Sequence, residues 1–574
     1  MTSNSTRKSL RITGIVLLIL LAVGGIAALW FQSNYKQIIQ NKLPIISKKV
    51  TDSLYKIKAG DVDISLPDRR VVITDFELVP DPDHIQRLQK DFRLPKMLLR
   101  IHVDKVTMDD IDWSTVLSSK EVVCGSMKLE HPVVSIVRIG DADSTGEKEV
   151  KEPSAIQAIR AKVIDILNPE VLYSTDTTKR ATKIALKGGS IRLREWNYDL
   201  RNPADTTRLF YAANTAANFK SFDVQTADGV YAIRSGDISY DQSREYLGIR
   251  GFELKPKISR EAFYRRANVQ KEIYDMRIPG LDLEGIDWRA LLYRGSVIVR
   301  GGALNDAHIG IYMSRIPPLN MKSKNGNFPQ QMLMKLALPV SIPTMSIRNG
   351  SFAYTEKNER SMQEGTVAMT KIGGRITNLT NMPALLRRNK TLTVAMEGLF
   401  KESPIRAQFD FNIPAKDGAF RVKGGIGAMD GTKLNDIVQP LALAEIRELQ
   451  IQKIDFDVQG SEAGAKGSMT MLYEGLKVAL LKPDDGKLEK QDLTSFLANG
   501  LLIHNSNTGN RPRRVNPEFM RDETKSFFNL VWKTIFTGTL QTASRKLIKL
   551  DRVVNNRAEK KEAARRENEL QGRK

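Results

Sequence analysis

Apolar residues fall at every second position over much of this chain, a spacing that predicts short strands with one apolar and one wet face. In RAQFDFNI, Ala407, Phe409, Phe411 and Ile413 point one way, while Gln408, Asp410 and Asn412 point the other. In LQIQKIDFDV the alternation holds for Leu449 and Ile451, then shifts after Lys453 so that Ile454, Phe456 and Val458 take over. A β-bulge there accounts for the switch. Residues 60–81 read as two strands around a Pro-Asp turn, with Val62, Ile64 and Leu66 on the first and Val72, Phe76 and Leu78 on the second. Helical patterns are few: 155–167, 329–336, and a stretch from about residue 35 to 57 interrupted at Pro44. The expected fold is mainly β with isolated helices.

The pattern repeats. Gly60-Asp61 and Phe76-Glu77-Leu78 return as Gly236-Asp237 and Phe252-Glu253-Leu254 at an offset of 176, and Ile111-Asp112-Trp113 returns as Ile286-Asp287-Trp288 at 175. Two matches that agree within one residue define a duplicated unit, residues 60–137 and 236–312. A weaker echo links 182–195 with 343–356. Repetition with drift predicts units that pack mainly on their neighbours. The divisions expected are 32–180, 181–343 and 344–510, followed by a basic segment, 511–574. Trp113 and Trp288 are expected to pack at unit boundaries, because a buried tryptophan supplies a large area. A headgroup contact through Asp112 and Asp287 is the sharper alternative, though carboxylates repel phosphate.

Before the strands comes a run of 20 residues, 12–31, in which Thr13 is the one polar side chain. As a helix it spans about 30 Å, the thickness of a bilayer's hydrocarbon core. A cleaved signal peptide would have a shorter apolar stretch, and no small-x-small cleavage site follows this one. The expectation is an uncleaved N-terminal transmembrane helix, a cytoplasmic tail of residues 1–11, and a body on the far side of the membrane.

One-faced antiparallel strands must bury that face on helices, on another sheet, or on a ligand. The predicted helices are too few to cover it. A stack of closed sandwiches would suffice; the anchor and the drifting repeat favour an elongated, curved sheet with a partly open groove. Acyl chain is the apolar filler available to a membrane-tethered protein. The groove candidates are Val72, Phe76, Leu78, Phe252, Leu254, Phe409, Phe411, Ile454 and Phe456.

Composition narrows the partners. Of 574 residues, 88 are Lys or Arg and 66 Asp or Glu, a net charge of +22 that calls for an anionic partner. No zinc-finger, RNP or helix-turn-helix signature accompanies it, so phospholipid is expected and nucleic acid is not. Residues 511–574 hold 17 Lys and Arg against eight Asp and Glu. Within them Phe528, Val531, Trp532 and Ile535 share a helical face, which predicts either an interfacial membrane helix or a helix capping the sheet. The lone cysteine, Cys124, falls opposite Val299 in the repeat and reads as a small apolar filler. His84, His102, His131, His308 and His504 lack metal-ligand spacing, and no catalytic or nucleotide motif is present. The glycines at 424–427 lack the helix and Lys-Ser/Thr of a phosphate loop and suit a strand bulge. No enzyme, metal or cofactor is expected.

Residues 424–481, through Met429-Asp430, Leu434-Asn435, the run into Gly460, and Gly467-Ser468 leading to Tyr473, Leu476 and Val478, resemble the C-terminal region of the AsmA-like family of bacterial envelope proteins. The anchor, residues 60–81 and IDWSTVLSSKEVVCGSMKLEHPVVSIVRI are similar to that family's opening. The resemblance covers about residues 10–485, as a pattern of apolar and glycine positions. It implies a single-pass inner-membrane protein with a periplasmic body, a repeating β-groove, and a part in outer-membrane phospholipid supply or assembly. The alternative is a non-transporting envelope protein with a closed β-sandwich body and unidentified protein partners.

Overall fold

The computed structural model describes residues 54–91, 95, 97–119, 121–139, 158–176, 181–199, 208–484, 487–490 and 503–543. The expected membrane anchor, the cytoplasmic tail and the end of the basic segment lie outside them. Among the described residues the chain is mainly β, with short isolated helices, and no helix is long and apolar enough to cross a membrane.

Two compact units form, residues 1–258 with 276–303, and residues 259–275 with 304–574. No division falls at residue 180. Strand Lys183–Lys187 pairs with Glu170–Ser174, and Ser190–Asp199 pairs with Ala158–Leu167, so hydrogen bonds cross the expected boundary.

In the first unit the hairpin Asp61–Ser65 and Arg70–Pro80 is joined by the predicted turn. Strand Tyr55–Lys58, at the end of the stretch expected to be helical, pairs antiparallel with Arg70–Pro80 instead. Met97–Asp109 and Glu121–Arg138 extend it antiparallel. The helix expected over 155–167 is instead strand Ala158–Leu167, parallel to Glu121–Arg138. Its β-branched Ile159, Val163, Ile164 and Ile166 suit a pleated surface, and strands on both sides take up its backbone hydrogen bonds. Val71, Ile73, Phe76, Leu78, Val106, Met108, Ile164 and Trp196 meet in one buried core. Each such side chain contributes about 1.5–3 kcal/mol by leaving water. Tyr198 and Tyr211 meet edge to face at 4.7 Å beside Trp196.

In the second unit, long antiparallel strands Val340–Lys357, Glu364–Thr380, Thr391–Phe400, Ser403–Asn412 and Phe420–Ile426 lead to the hairpin of Ala444–Ser461 and Gly464–Asp484. The register shifts between Ile451 and Lys453, at the point where the apolar alternation predicted a bulge. Gly424 lies inside a strand with no register break. Its missing side chain leaves room for the Phe456 ring, which a Cβ would meet at 2.8 Å, so close packing rather than a bulge accounts for it.

Helix Phe527–Ala543 seals this unit. The Phe527 ring lies 4.9 Å from Phe420, 5.2 Å from Phe328 and 5.4 Å from Phe411. Gly538 approaches Met469, and Tyr473 Oη donates to His504 O at 2.8 Å. The buried face is Phe527, Leu530, Val531, Thr534, Gly538 and Thr542. The face expected from Phe528, Val531, Trp532 and Ile535 is therefore rotated: Val531 is buried, Trp532 and Ile535 are half-buried against the core, and Phe528 is exposed. Small side chains decide the rotation, since Thr534, Gly538 and Thr542 let the backbone approach the sheet more closely than Trp532 could.

Candidate functional site

The duplication is built into the backbone, and it fixes where site-forming strands run. Gly60 N donates to Thr74 O, and Gly236 N to Arg250 O. Asp112 N donates to Val123 O, and Asp287 N to Ile298 O. Left-handed residues recur in step: Arg69 with Glu245, Asp75 with Gly251, Asp110 with Gly285, His131 with Asp306. The repeated triplet starts a short helix in each copy, Trp113–Ser119 and Trp288–Arg294. Ile111 and Ile286 are the buried members, while Trp113 and Trp288 are half-buried; the boundary is anchored by isoleucine more than by tryptophan.

Asp112 and Asp287 are helix caps. Ser114 N and Thr115 N donate to Asp112 Oδ1, and Ala290 N donates to Asp287 Oδ1 at 2.9 Å. The hydroxyls of Ser114 and Thr115 also donate to Asp112, which holds its carboxyl at about 2, below the ordinary carboxylate range. Both carboxylates are thus engaged by protein donors. Cys124 is buried and its thiol is pushed up to about 12 by desolvation, with the nearby Asp109 charge adding to it.

Of the nine groove candidates, Phe76, Leu78, Phe411, Ile454 and Phe456 are sealed inside the two cores and cannot line an open groove here. Phe409 packs against Phe411 and Phe527. Val72 faces away from the core. Asp75 adopts φ 47°, so Val71 and Ile73 are buried before it and Phe76 and Leu78 after it, and even spacing across the bulge does not hold. Phe252 and Leu254 are half-buried and belong to neither core.

That surface is the candidate site. Tyr173, Ile184, Val224, Ile233, Leu254 and Met276 oppose one another in register across six strands of the first unit. Val171, Leu186 and Phe222 run beside them, and Phe252 pairs with Ile278. All are half-buried, and none belongs to either buried core. The reverse face carries charge: Asp223 pairs with Arg234 at 3.2 Å, Glu170 with Lys187 at 3.2 Å, and Glu253 with Lys255 at 2.8 Å. Six strands at about 4.8 Å make the apolar face roughly 24 Å wide. One leaflet's acyl chains occupy about 15 Å, half a hydrocarbon core. An extended acyl chain can therefore lie across this face while the other side stays in water.

The histidines show a grouping that sequence spacing hides. His102 Nε2 and His131 Nδ1 each lie 3.1 Å from Asp104, with Glu170 3.8 Å from His131. Only the His131 bulge, aligned with Asp306, could have hinted at it. Among the described residues no group of three or more His, Cys, Asp or Glu is arranged to hold a metal ion.

Among the described residues, fold and site together define a mainly-β protein with a half-open apolar sheet face backed by charge. No protein-family model matches the chain, and a search of curated proteins finds no match to its sequence.

Proposed function

We propose that this chain is a membrane-tethered envelope protein that binds phospholipid acyl chains along the half-open face of its first unit, in support of lipid supply to an outer membrane. The observation that carries the reading is the in-register apolar row from Tyr173 to Met276, half-buried and outside every buried core, with ion pairs on its reverse. Each methylene placed on such a face gains about 0.8 kcal/mol. The 12–31 run and the AsmA-like resemblance fit an inner-membrane anchor with a periplasmic body. No step in this reading requires an enzyme, a metal or a cofactor.

A photoreactive benzoylphenylalanine at Ile233 or Leu254 tests it in intact membranes. Illumination should yield phospholipid adducts at these positions, and far fewer at Arg234 or Glu253 on the reverse face. Equal labelling of both faces, or adducts to protein alone, would overturn the reading. One finding favours the closed-body alternative for part of the chain: the second unit's core is sealed by its own helix. Protein adducts at Ile233 would extend that alternative to the first unit.

A further inference from the structure

Two loops of the second unit combine apolar exposure with cations that form no ion pair with another described residue, although Lys335 Nζ donates to Asn327 Oδ1 at 2.9 Å. Helix Pro329–Met334 buries Gln330, Gln331 and Leu333, which leaves Met332 and Met334 49% and 40% exposed. The chain then runs exposed from 334 to 339, with Leu336 at 47% and Leu338 at 40%. Leucine and methionine together on such a surface form an apolar patch that water does not favour. Asn381 fixes this loop beside its neighbour: its Nδ2 donates to Leu333 O at 3.4 Å and Leu338 O at 3.0 Å, and its Oδ1 accepts from Val340 N at 2.7 Å. Immediately after it come helix Pro383–Leu386 and the exposed run Arg387, Arg388, Asn389, Lys390. The turn carrying Lys416 is tied in as well, because Gln331 Nε2 donates to Lys416 O and Ile413 N to Lys390 O.

Lys335, Arg387, Arg388, Lys390 and Lys416 are all exposed, and none makes an ion pair with another described residue. Asp417 is the exposed carboxylate beside them. We propose that these two loops dock the second unit onto an anionic phospholipid bilayer, the leucines and methionines entering the interface and the cations meeting headgroup phosphate. Charge selects this occupant. A second copy of the chain would bring the same cations face to face, whereas an anionic leaflet attracts them from within a Debye length. Apolar side chains flanked by Lys and Arg are the composition that interfacial anchoring requires. The inference stands apart from the acyl-binding face.

The test uses the full chain in phosphatidylcholine nanodiscs, with one environment-sensitive dye on Leu336→Cys. The buried Cys124 thiol does not compete for label in the folded protein. Adding phosphatidylglycerol-containing vesicles should brighten and blue-shift the dye several-fold, and salt should reverse the change. A dye on Glu397→Cys should stay in water. Arg387→Glu with Arg388→Glu should weaken vesicle binding by about tenfold or more, with an unchanged melting curve and with lipid adducts at Ile233 intact. Vesicles that bind while the Leu336→Cys dye stays aqueous would overturn the proposal. So would an equal response to pure phosphatidylcholine vesicles, or a shift that grows with protein concentration alone, which would seat a second copy there.

Discussion

The first unit holds two kinds of sheet face that share a chain and a hydrogen-bonded ladder. Around Phe76, Val106 and Trp196, apolar side chains close on one another and water is excluded. Around Ile184, Ile233 and Leu254 the same alternation of residue types produces a face that stays half-buried. Both obey the strand pattern, so the pattern alone does not distinguish a core from a binding surface. What differs is whether the chain supplies a second layer.

The widest gap between them should appear in stability. Phe76→Ala should cost about 3–5 kcal/mol, because it opens a cavity in a sealed core. Leu254→Ala should cost about 1 kcal/mol or less, since its side chain already meets solvent. Urea unfolding of both variants checks this, and equal losses would erase the distinction.

The duplication offers a finer test. In the first copy Asp110 faces Gly125, and in the second Gly285 faces Arg300, so the glycine has changed sides. A Cβ on Gly125 would lie 2.8 Å from that of Asp110, and one on Gly285 2.4 Å from that of Arg300. Each crossing has room for one side chain. Gly285 also has φ +66°, so Gly285→Ala should destabilise by roughly 1–3 kcal/mol through strain and crowding. Gly285→Asp combined with Arg300→Gly recreates the first copy's arrangement and should recover most of the loss. A double variant no better than the single would mean that the two crossings are not equivalent.

The smallest effect concerns acid. Asp112 has a folded-state pKa of about 2, below its unfolded value, so its contribution is present above the ordinary carboxylate range and is lost as pH falls toward about 2. Carbon-13 NMR of the carboxyl should show a midpoint near 2. Ser114→Ala with Thr115→Ala should raise it toward the ordinary value; an unmoved midpoint would contradict the hydroxyl cap.

Sequence alone showed the duplicated hairpins, the bulge at Lys453 and the helix after Pro329, because each rests on local spacing. It misplaced Val72, since a left-handed aspartate at position 75 leaves no compositional mark. It read 155–167 as helix because the partner that makes Ala158–Leu167 a strand is the parallel segment Glu121–Arg138, distant in sequence. The candidate face was legible only at Phe252 and Leu254. Ile184, Val224 and Ile233 lie on five-residue strands whose shared row depends on register between segments far apart. A capping helix was one of the two readings open for Phe527–Ala543, but its rotation was missed, because Thr534, Gly538 and Thr542 face the sheet together with Phe527 and Leu530, while Trp532 and Ile535 stay half-buried.

Mass spectrometry of the gently purified full chain, set against Ile184→Asp with Ile233→Asp, bears most directly on the acyl-binding face. Bound phospholipid should accompany the unaltered chain in near-stoichiometric amount and disappear from the double variant, while the two proteins melt alike. A lipid-free unaltered chain, or a variant that keeps its lipid, would contradict it.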